Sequence, residues 1–597
     1  MFSERISGKL SSHIGAGFLG AFLALFGATR IAQAAVNISD KPTKNMSCSA
    51  DVCSPTAKKA VLNVGDLAKM LQAADVTVTT GSGAITIEIT SALSWASANR
   101  LTLDANCNVS VKAPVTVAGP GSLTIVTNDG GSGCDLVFFP SGKVDFWDLS
   151  SSLIINGNSY VLASDIAALA SEIAANPSGC YALTRDYDAS ADGTYNASPI
   201  ATAFGGAFEG LGHSIVNLTI STIDLRDTGL FAQIGVSGAV RDIGMSNVDI
   251  LRTDKNGVDP SYVGSLAAES DGVIKNAFAT GSVGVDSNLT PAPDLGGLVG
   301  RSGGTIARSY VTARFVTRDV FRGGGLVADL DGSQGGSATI TDSYATENVS
   351  CLFCGVVGGL VGSSYAGTIV NSHASGNAIA TSGGWAGGLV GTNTYGAIVN
   401  SSATGRVQAS VGAGGLVGEN AGGTIEGSYA TGNVSVGQRG GKRCDVFVGG
   451  LTGDLRSAGR HQSIVANSYA TGAVAGSPAS CVGGLTGAFG YRGSSLLRAA
   501  YAIGSVSGQP DAEVGGAIGH DYARSDDVLE ADYWDLDTSG ISDPSQGAGN
   551  IANDPGITGL SDAQLKSGLP AGFDPAIWGQ SPSINNGYPY LLANPPR

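Results

Sequence analysis

Between Gly264 and Gly519 one short phrase recurs nine times: Gly-Gly-Leu-Val-Gly, a few small residues, then a stretch close to Ile-x-Asn-Ser-Tyr-Ala-Thr-Gly-x-Val. The clearest copy opens at Gly414-Gly415-Leu416-Val417-Gly418 and continues through Ile425, Ser428, Tyr429, Ala430, Thr431, Gly432 and Val434. The first position falls at Gly264, Gly296, Gly324, Gly358, Gly387, Gly414, Gly449, Gly483 and Gly515, so the steps run from 27 to 35 residues. A period of this length marks a solenoid or array, whose units bury their apolar faces only against their neighbours.

The residue types choose among solenoids. Each unit holds short β-prone stretches bounded by glycines and no glycine-free amphipathic run of ten residues, which argues against helical repeats. A lone strand leaves unpaired N–H and C=O groups; the next coil pairs them and stacks like residues in ladders. Propeller blades of about 40–45 residues with four strands are longer than these units. The expected fold is all-β: a right-handed parallel β-helix with two short helices and a C-terminal cap. The Gly-Gly pairs are expected to supply positive φ at tight corners and close approach of neighbouring coils.

The phrase resembles the GLUG motif of bacterial surface and secreted proteins, among them filamentous-haemagglutinin-like adhesins and IgA-specific metallopeptidases. Departures are Ser265, Ala328 in place of a closing glycine, and Ala517-Ile518 in the last copy. Tyr533-Trp534-Asp535 and the Ile584–Leu591 stretch also resemble the ends of such proteins. The resemblance implies a β-helix and a surface or secreted location. It does not carry over peptidase activity, because none of the histidines stands in His-Glu-x-x-His.

Thirty-three basic residues against 49 acidic ones, a net charge of −16, exclude a phosphate-neutralising basic patch, so no nucleic acid is expected as partner. Arg5 and Lys9, the apolar run Ile14–Phe26 and Ala32-Gln33-Ala34 read as a cleaved secretory signal over 1–34. No later stretch is long and apolar enough to span a membrane, so no span is expected once the signal is removed. Residues 35–60 read as a linker and 61–160 as a β-helical region with one helix at Val64–Ala74. A helix-bearing connector covers 161–203, with Ile166, Leu169 and Ile173 on its apolar face and Ser164 as N-cap. The repeat solenoid covers 204–520 and a divergent cap 521–597. Thr228-Gly229-Leu230-Phe231 reads as a degenerate first copy.

Export permits disulfides. Cys48 with Cys53, and Cys351 with Cys354, are the expected local pairs, and nine cysteines leave one thiol over. Zinc at Cys351 and Cys354 would need two more ligands at suitable spacing. No cofactor is expected. Gly130-Gly131-Ser132-Gly133-Cys134-Asp135 fits a calcium nonapeptide, but such sites need tandem copies. Asp535, Asp537, Ser539 and Asp543 match the opening of an EF-hand loop, but Gln546 stands where the bidentate Glu belongs.

Phe278, Tyr310, Tyr344, Tyr429, Tyr469 and Tyr501 occupy equivalent positions, broken by His373 and Ser402. Stacked coils would bring them into one ladder, either a register-fixing column or an exposed strip for sugar rings or a partner strand. The expected function is adhesin-like binding or display at the cell surface, toward an extracellular glycan or a host or neighbour cell-surface protein, rather than catalysis. The alternatives are a polysaccharide lyase or hydrolase on a β-helix and a structural surface spacer.

Overall fold

A computed structural model describes residues 34–596 except 82–83, 128–133, 224–225, 255–260, 288–291, 318, 334–337 and 438–442. The expected signal, up to residue 33, and the glycines of the nonapeptide lie outside the described residues.

The chain is a parallel β-solenoid. The Leu-Val-Gly strands form one continuous sheet of ten, from Phe231–Ile234 to Ile518–Asp521. Their register is one coil per motif: Gly296 pairs with Gly324, Gly324 with Gly358, Gly358 with Gly387, and Gly387 with Gly414. The degenerate copy is the first coil of this stack, because Phe231 pairs with Ala267. Each coil continues through an Ile strand, a ladder strand and a Val strand before the next Gly-Gly.

Equivalent apolar side chains stack into columns in the core. Leu298, Leu326, Leu360, Leu389 and Leu416 form one, Ile306, Ile340, Ile369, Ile398 and Ile425 a second, and Val311, Ala345, Ala374, Ala403 and Ala430 a third, all buried. Period-2 alternation turns the residue before each third-column member, the ladder position, outward. A serine column closes the corner before it. Ser309, Ser343, Ser372 and Ser401 donate backbone N–H to the hydroxyl of the next coil's serine, at 3.1–3.2 Å. Ser343, Ser372 and Ser401 hydroxyls in turn donate to the carbonyl two residues back. A buried polar corner is thereby satisfied coil after coil.

Positive φ is not where the Gly-Gly pairs stand. It falls one residue before the serine, at Arg308, Asp342, Asn371, Asn400 and Asn467, and before the equivalent Ala277 at Asn276; all but Arg308 are Asn or Asp, which tolerate the left-handed region best. The paired glycines serve close approach alone: a Cβ on Gly414 would overlap the Val417 carbonyl, and one on Gly415 the Gly450 carbonyl of the next coil.

The amino-terminal half departs from the sequence reading in two places. Residues 35–60 are structured, not a linker. Ala35–Ser39 pairs in parallel with both Lys59–Asn63 and Thr86–Ile89, and Met46–Ser49 forms a hairpin with Val52–Pro55. Alternation at Val36 and Ile38, both buried, was the available signal. Second, the Ile155-Asn156-Gly157-Asn158 stretch is a hairpin rather than another coil. Asn156 and Gly157 have φ of 48° and 81°, the two positive values a type I′ turn requires. Ser152–Ile155 therefore pairs antiparallel with Asn158–Ala163, and the sheet continues in parallel through Cys180–Leu183 into the repeats. This seam separates two hydrophobic cores.

Helix α1 (Val64–Ala73) buries Leu67 and Leu71 in the first core. Helix α2 (Ile166–Ala175) buries Ile166, Leu169 and Ile173 in the second. Its N-cap is Asp165, which accepts from Ala168 N, rather than Ser164. A third helix, α3 (Asp562–Lys566), is set by a Ser561–Gln564 capping box.

Candidate functional site

The outward ladder position is in register from coil to coil. Phe278 pairs with Tyr310, Tyr310 with Tyr344, Tyr344 with His373, His373 with Ser402, Ser402 with Tyr429, Tyr429 with Tyr469 and Tyr469 with Tyr501. The rings stack face to face. Centroids are 5.1 Å apart for Phe278–Tyr310, 4.9 Å for Tyr310–Tyr344 and Tyr344–His373, 4.9 Å for Tyr429–Tyr469 and 5.1 Å for Tyr469–Tyr501, with interplanar angles of 18° or less. Ser402 interrupts the stack, so it has two halves.

The halves have different surroundings. Tyr429, Tyr469 and Tyr501 are fully buried, although they point out of the solenoid. The C-terminal segment covers them: Leu565, Phe573, Trp578, Tyr588 and Leu591 pack with them in one cluster. Trp578 lies 6.1 Å from Tyr469 and 5.9 Å from Tyr501, and donates from Nε1 to Asn467 Oδ1 at 3.2 Å. The hydroxyl of Tyr501 donates to the Pro589 carbonyl at 2.6 Å, that of Tyr533 to Ala571 at 2.7 Å, and that of Tyr429 to Pro595 at 3.5 Å. Asn594 Nδ2 donates to the carbonyls of Ser401 and Gly427. The segment expected to cover the solenoid end therefore also lies along its side. Phe278, Tyr310, Tyr344 and His373 remain half-buried.

Stacking also limits what the ladder can recognise. Each ring face inside the stack is already covered by its neighbour, so a sugar ring has no free face there. What the column presents outward is ring edges and hydroxyls at the coil spacing. Edges take tilted aromatic contacts, and hydroxyls donate to carbonyls. The C-terminal segment uses both.

Burial drives the Tyr501 hydroxyl well above its ordinary pKa, with Tyr469 adding to the effect. Burial likewise raises Tyr310. Both are hydrogen-bond donors at any ordinary pH.

The other sequence candidates fall elsewhere. Asp535 is buried, and its carboxylate accepts from Asp537 N and Thr538 N on one oxygen and from the Tyr588 hydroxyl on the other. Asp537 accepts from Asp562 N, Asp543 closes a turn on Ser545, and Ser539 accepts from Ile541 N. Asp535 and Asp537 thus fasten the C-terminal segment, whereas Asp543 and Ser539 close local turns. Asp135 pairs instead with Lys275 and Arg308, tying the amino-terminal core to the repeats. The structure pairs Cys48 with Cys53 and Cys351 with Cys354, and also Cys107 with Cys134 and Cys444 with Cys481; Cys180 is left free.

One site escaped the sequence reading. A cleft of about 310 Å³ is lined by Tyr262, Asp294, Arg301, Phe321, Arg322 and Asp329 among others. Arg322 Nη1 bridges Asp294 at 2.8 Å and Asp329 at 3.3 Å. Register makes the cluster: Asp294 stacks on Arg322, and Arg301 on Asp329. In the sequence these charges are separate, two around the Gly296 copy of the motif and two around the Gly324 copy.

Burial lifts Asp294 to about 7 despite Arg322, Asp242 to about 6, and Asp554, beside Asp521, to about 7. A carboxyl whose pKa folding raises holds its proton more tightly in the folded chain. Its contribution is greatest below the unfolded value of about 4 and falls as pH rises through 6 to 7. The protein is expected to melt at a higher temperature at pH 5 than at pH 8, and Asp294→Asn to flatten that slope. A Tm that climbs from pH 5 to pH 8 contradicts this assignment.

Two stretches, 383–408 and 409–435, match the GLUG motif. Across 207 residues, 32% of this chain, the sequence is 30% identical to halomucin from Haloquadratum walsbyi, and the match spans 2% of that protein's length. A Bacteroides ovatus crystal structure assigned provisionally as an immunoglobulin A1 protease aligns over 73% of this chain and 93% of its own, at 16% identity and a TM-score of 0.30. The described residues contain no helix long and apolar enough to cross a membrane.

Proposed function

We propose that this chain is an exported, surface-displayed β-solenoid of adhesin-like type, which docks an extended segment of a partner cell-surface protein along the open half of its aromatic ladder. The observation that carries the reading is the covered half. There the same column of outward rings already holds a polypeptide, through tyrosine hydroxyls donated to backbone carbonyls and tilted aromatic contacts. Phe278, Tyr310 and Tyr344 offer the same edge at the same spacing. The partner segment is accordingly extended, bears proline and aromatic residues, and presents carbonyls toward the rings. The GLUG repeats and the halomucin likeness support a surface location. Kinship with filamentous-haemagglutinin-type adhesins belongs to this proposal as well.

A synthetic peptide of residues 584–596, titrated into the intact protein, is expected to bind once per chain. Tyr310→Ala combined with Tyr344→Ala should weaken it more than tenfold. Selective retention of neutral or acidic glycans with no peptide binding would replace this reading with a glycan receptor.

The charged cleft favours a second reading, a polysaccharide lyase or hydrolase, since Asp294 titrates near neutrality beside Arg322. New reducing ends or unsaturated products from a glycan panel, lost in Asp294→Asn, would establish it.

A further inference from the structure

Four potential ligands from three successive coils meet at one corner of the solenoid. Cys481 and Glu513 are in register on neighbouring Val strands. His520 follows seven residues after Glu513, on the last Leu-Val-Gly strand, with its Nδ1 2.5 Å from Glu513 Oε2. Cys444 enters from the segment that precedes Phe447–Gly449 and is anchored by its N–H to the Ala479 carbonyl at 2.7 Å. The ligand atoms of all four lie within 4.8 Å of one another, the one such group of histidine, cysteine and carboxylate side chains among the described residues.

The chemistry of the set is that of a zinc site: two sulfurs, one imidazole nitrogen and one carboxylate oxygen. The outer contacts suit it. Arg443 Nε takes Glu513 Oε1 at 2.5 Å, leaving Oε2, the oxygen that His520 Nδ1 and Cys481 Sγ approach. The His520 ring is held against Tyr522 at 4.4 Å. Cys481 and Glu513 are buried, whereas Cys444 and His520 reach solvent, so an ion has an entry side. In a tetrahedral zinc site, ligand atoms sit roughly 3.3–3.8 Å apart, a spacing the group reaches by separating its two sulfurs and opening the contact between His520 Nδ1 and Glu513 Oε2.

We propose that Cys444, Cys481, Glu513 and His520 form a redox-gated binding site for a zinc-type divalent cation. Oxidised, the two cysteines are joined and the site is closed. Two-electron reduction by a thiol or phosphine breaks the S–S bond and yields two thiols. A phosphine leaves as its oxide, taking the oxygen of one water and passing on its two protons. Zn2+ then displaces both thiol protons to solvent and takes the two thiolates, His520 Nδ1 and Glu513 Oε2. Reoxidation by a small-molecule disulfide, which takes two electrons and two protons and leaves as two thiols, expels the ion and restores the protein disulfide.

The test is metal binding by the full chain, with Zn2+ alone and with Co2+ as its spectroscopic stand-in. After phosphine reduction and removal of reductant, one Zn2+ per chain is expected, and Co2+ should give thiolate-to-metal charge-transfer absorption. Loss of a direct ligand should exceed the 10–100-fold typical of an outer-shell partner, so Cys481→Ser and His520→Ala should each weaken affinity by more than about 100-fold. The double variant Cys351→Ser, Cys354→Ser should bind normally, and the oxidised chain not at all. His520 is partly exposed, so His520→Ala keeps the test open if Cys481→Ser fails to fold. No stoichiometric Zn2+ in the reduced chain, equal binding by the oxidised chain, or unchanged binding in His520→Ala would overturn the proposal.

Discussion

Trp578→Ala is expected to release the C-terminal segment from the ladder while the solenoid stays folded. Trp578 is almost fully buried and packs against Phe573 at 4.4 Å as well as against two ladder tyrosines. Truncating a buried tryptophan costs about 3–5 kcal/mol, and Asn467 Oδ1 loses its donor in addition. The segment's remaining anchors are the buried Leu565, Phe573, Tyr588 and Leu591, of which Phe573 loses its ring partner, and hydrogen bonds at Ser401, Gly427, Tyr501, Tyr533, Asp535 and Asp537, each of modest net worth, about 0.5–1.5 kcal/mol. The loss should stay local, because solenoid coils contact only their neighbours. Limited proteolysis should then cut between Ser561 and Pro596, tyrosine fluorescence should show newly exposed rings, and far-ultraviolet circular dichroism should keep its β signal. Collapse of the whole β signal would mean that the segment holds the solenoid together rather than lying on it.

The second large effect separates a whole coil from half of one. Excising Gly387–Ala413 joins Ala386 to Gly414. Gly358 would then meet Gly414, and Val361 would meet Val417, as the present coils already pair through Gly387 and Val390. Core columns stay intact, and removal of Ser402 lets Tyr429 follow His373 directly. The product should be soluble, β-rich and close to the parent in Tm. Excising only 387–399 removes Leu389, Val390 and Ile398 from three buried positions and leaves the ladder strand without the strands that lead into it. Buried Leu or Ile losses cost about 2–5 kcal/mol each, so this variant should aggregate. Indistinguishable solubility and melting of the two deletions would contradict one coil per motif.

Much of the fold was legible because a solenoid writes its geometry as a period. The spacing of Gly296, Gly324 and Gly358 gave the register, and the Ile and Leu positions gave the core. Both long helices stood out by their apolar spacing. What escaped depended on relations the period does not carry. The Asn156-Gly157 turn was visible as a dipeptide, but reading it as a reversal required knowing that the following strand returns to the same sheet. The short alternation in Ala35–Ser39 was masked by polar neighbours. The ladder was legible as a column, yet its division into covered and open halves depends on a segment that meets it from 88 residues away in sequence, as Pro589 does Tyr501. The same holds for Cys444, Cys481, Glu513 and His520, whose spacings match no metal motif because coil insertions set them.

The open rings are expected to dock a polypeptide as the covered rings do. A peptide of residues 584–596 carrying a benzophenone in place of Tyr588 can be photo-crosslinked to the intact protein and the adduct mapped. Adducts are expected on the ladder strands at Phe278–Ser287, Tyr310–Thr317, Tyr344–Ala345 and His373–Ala374, abolished by Tyr310→Ala with Tyr344→Ala. Adducts scattered over the other faces of the solenoid, or unchanged in the double variant, would contradict it.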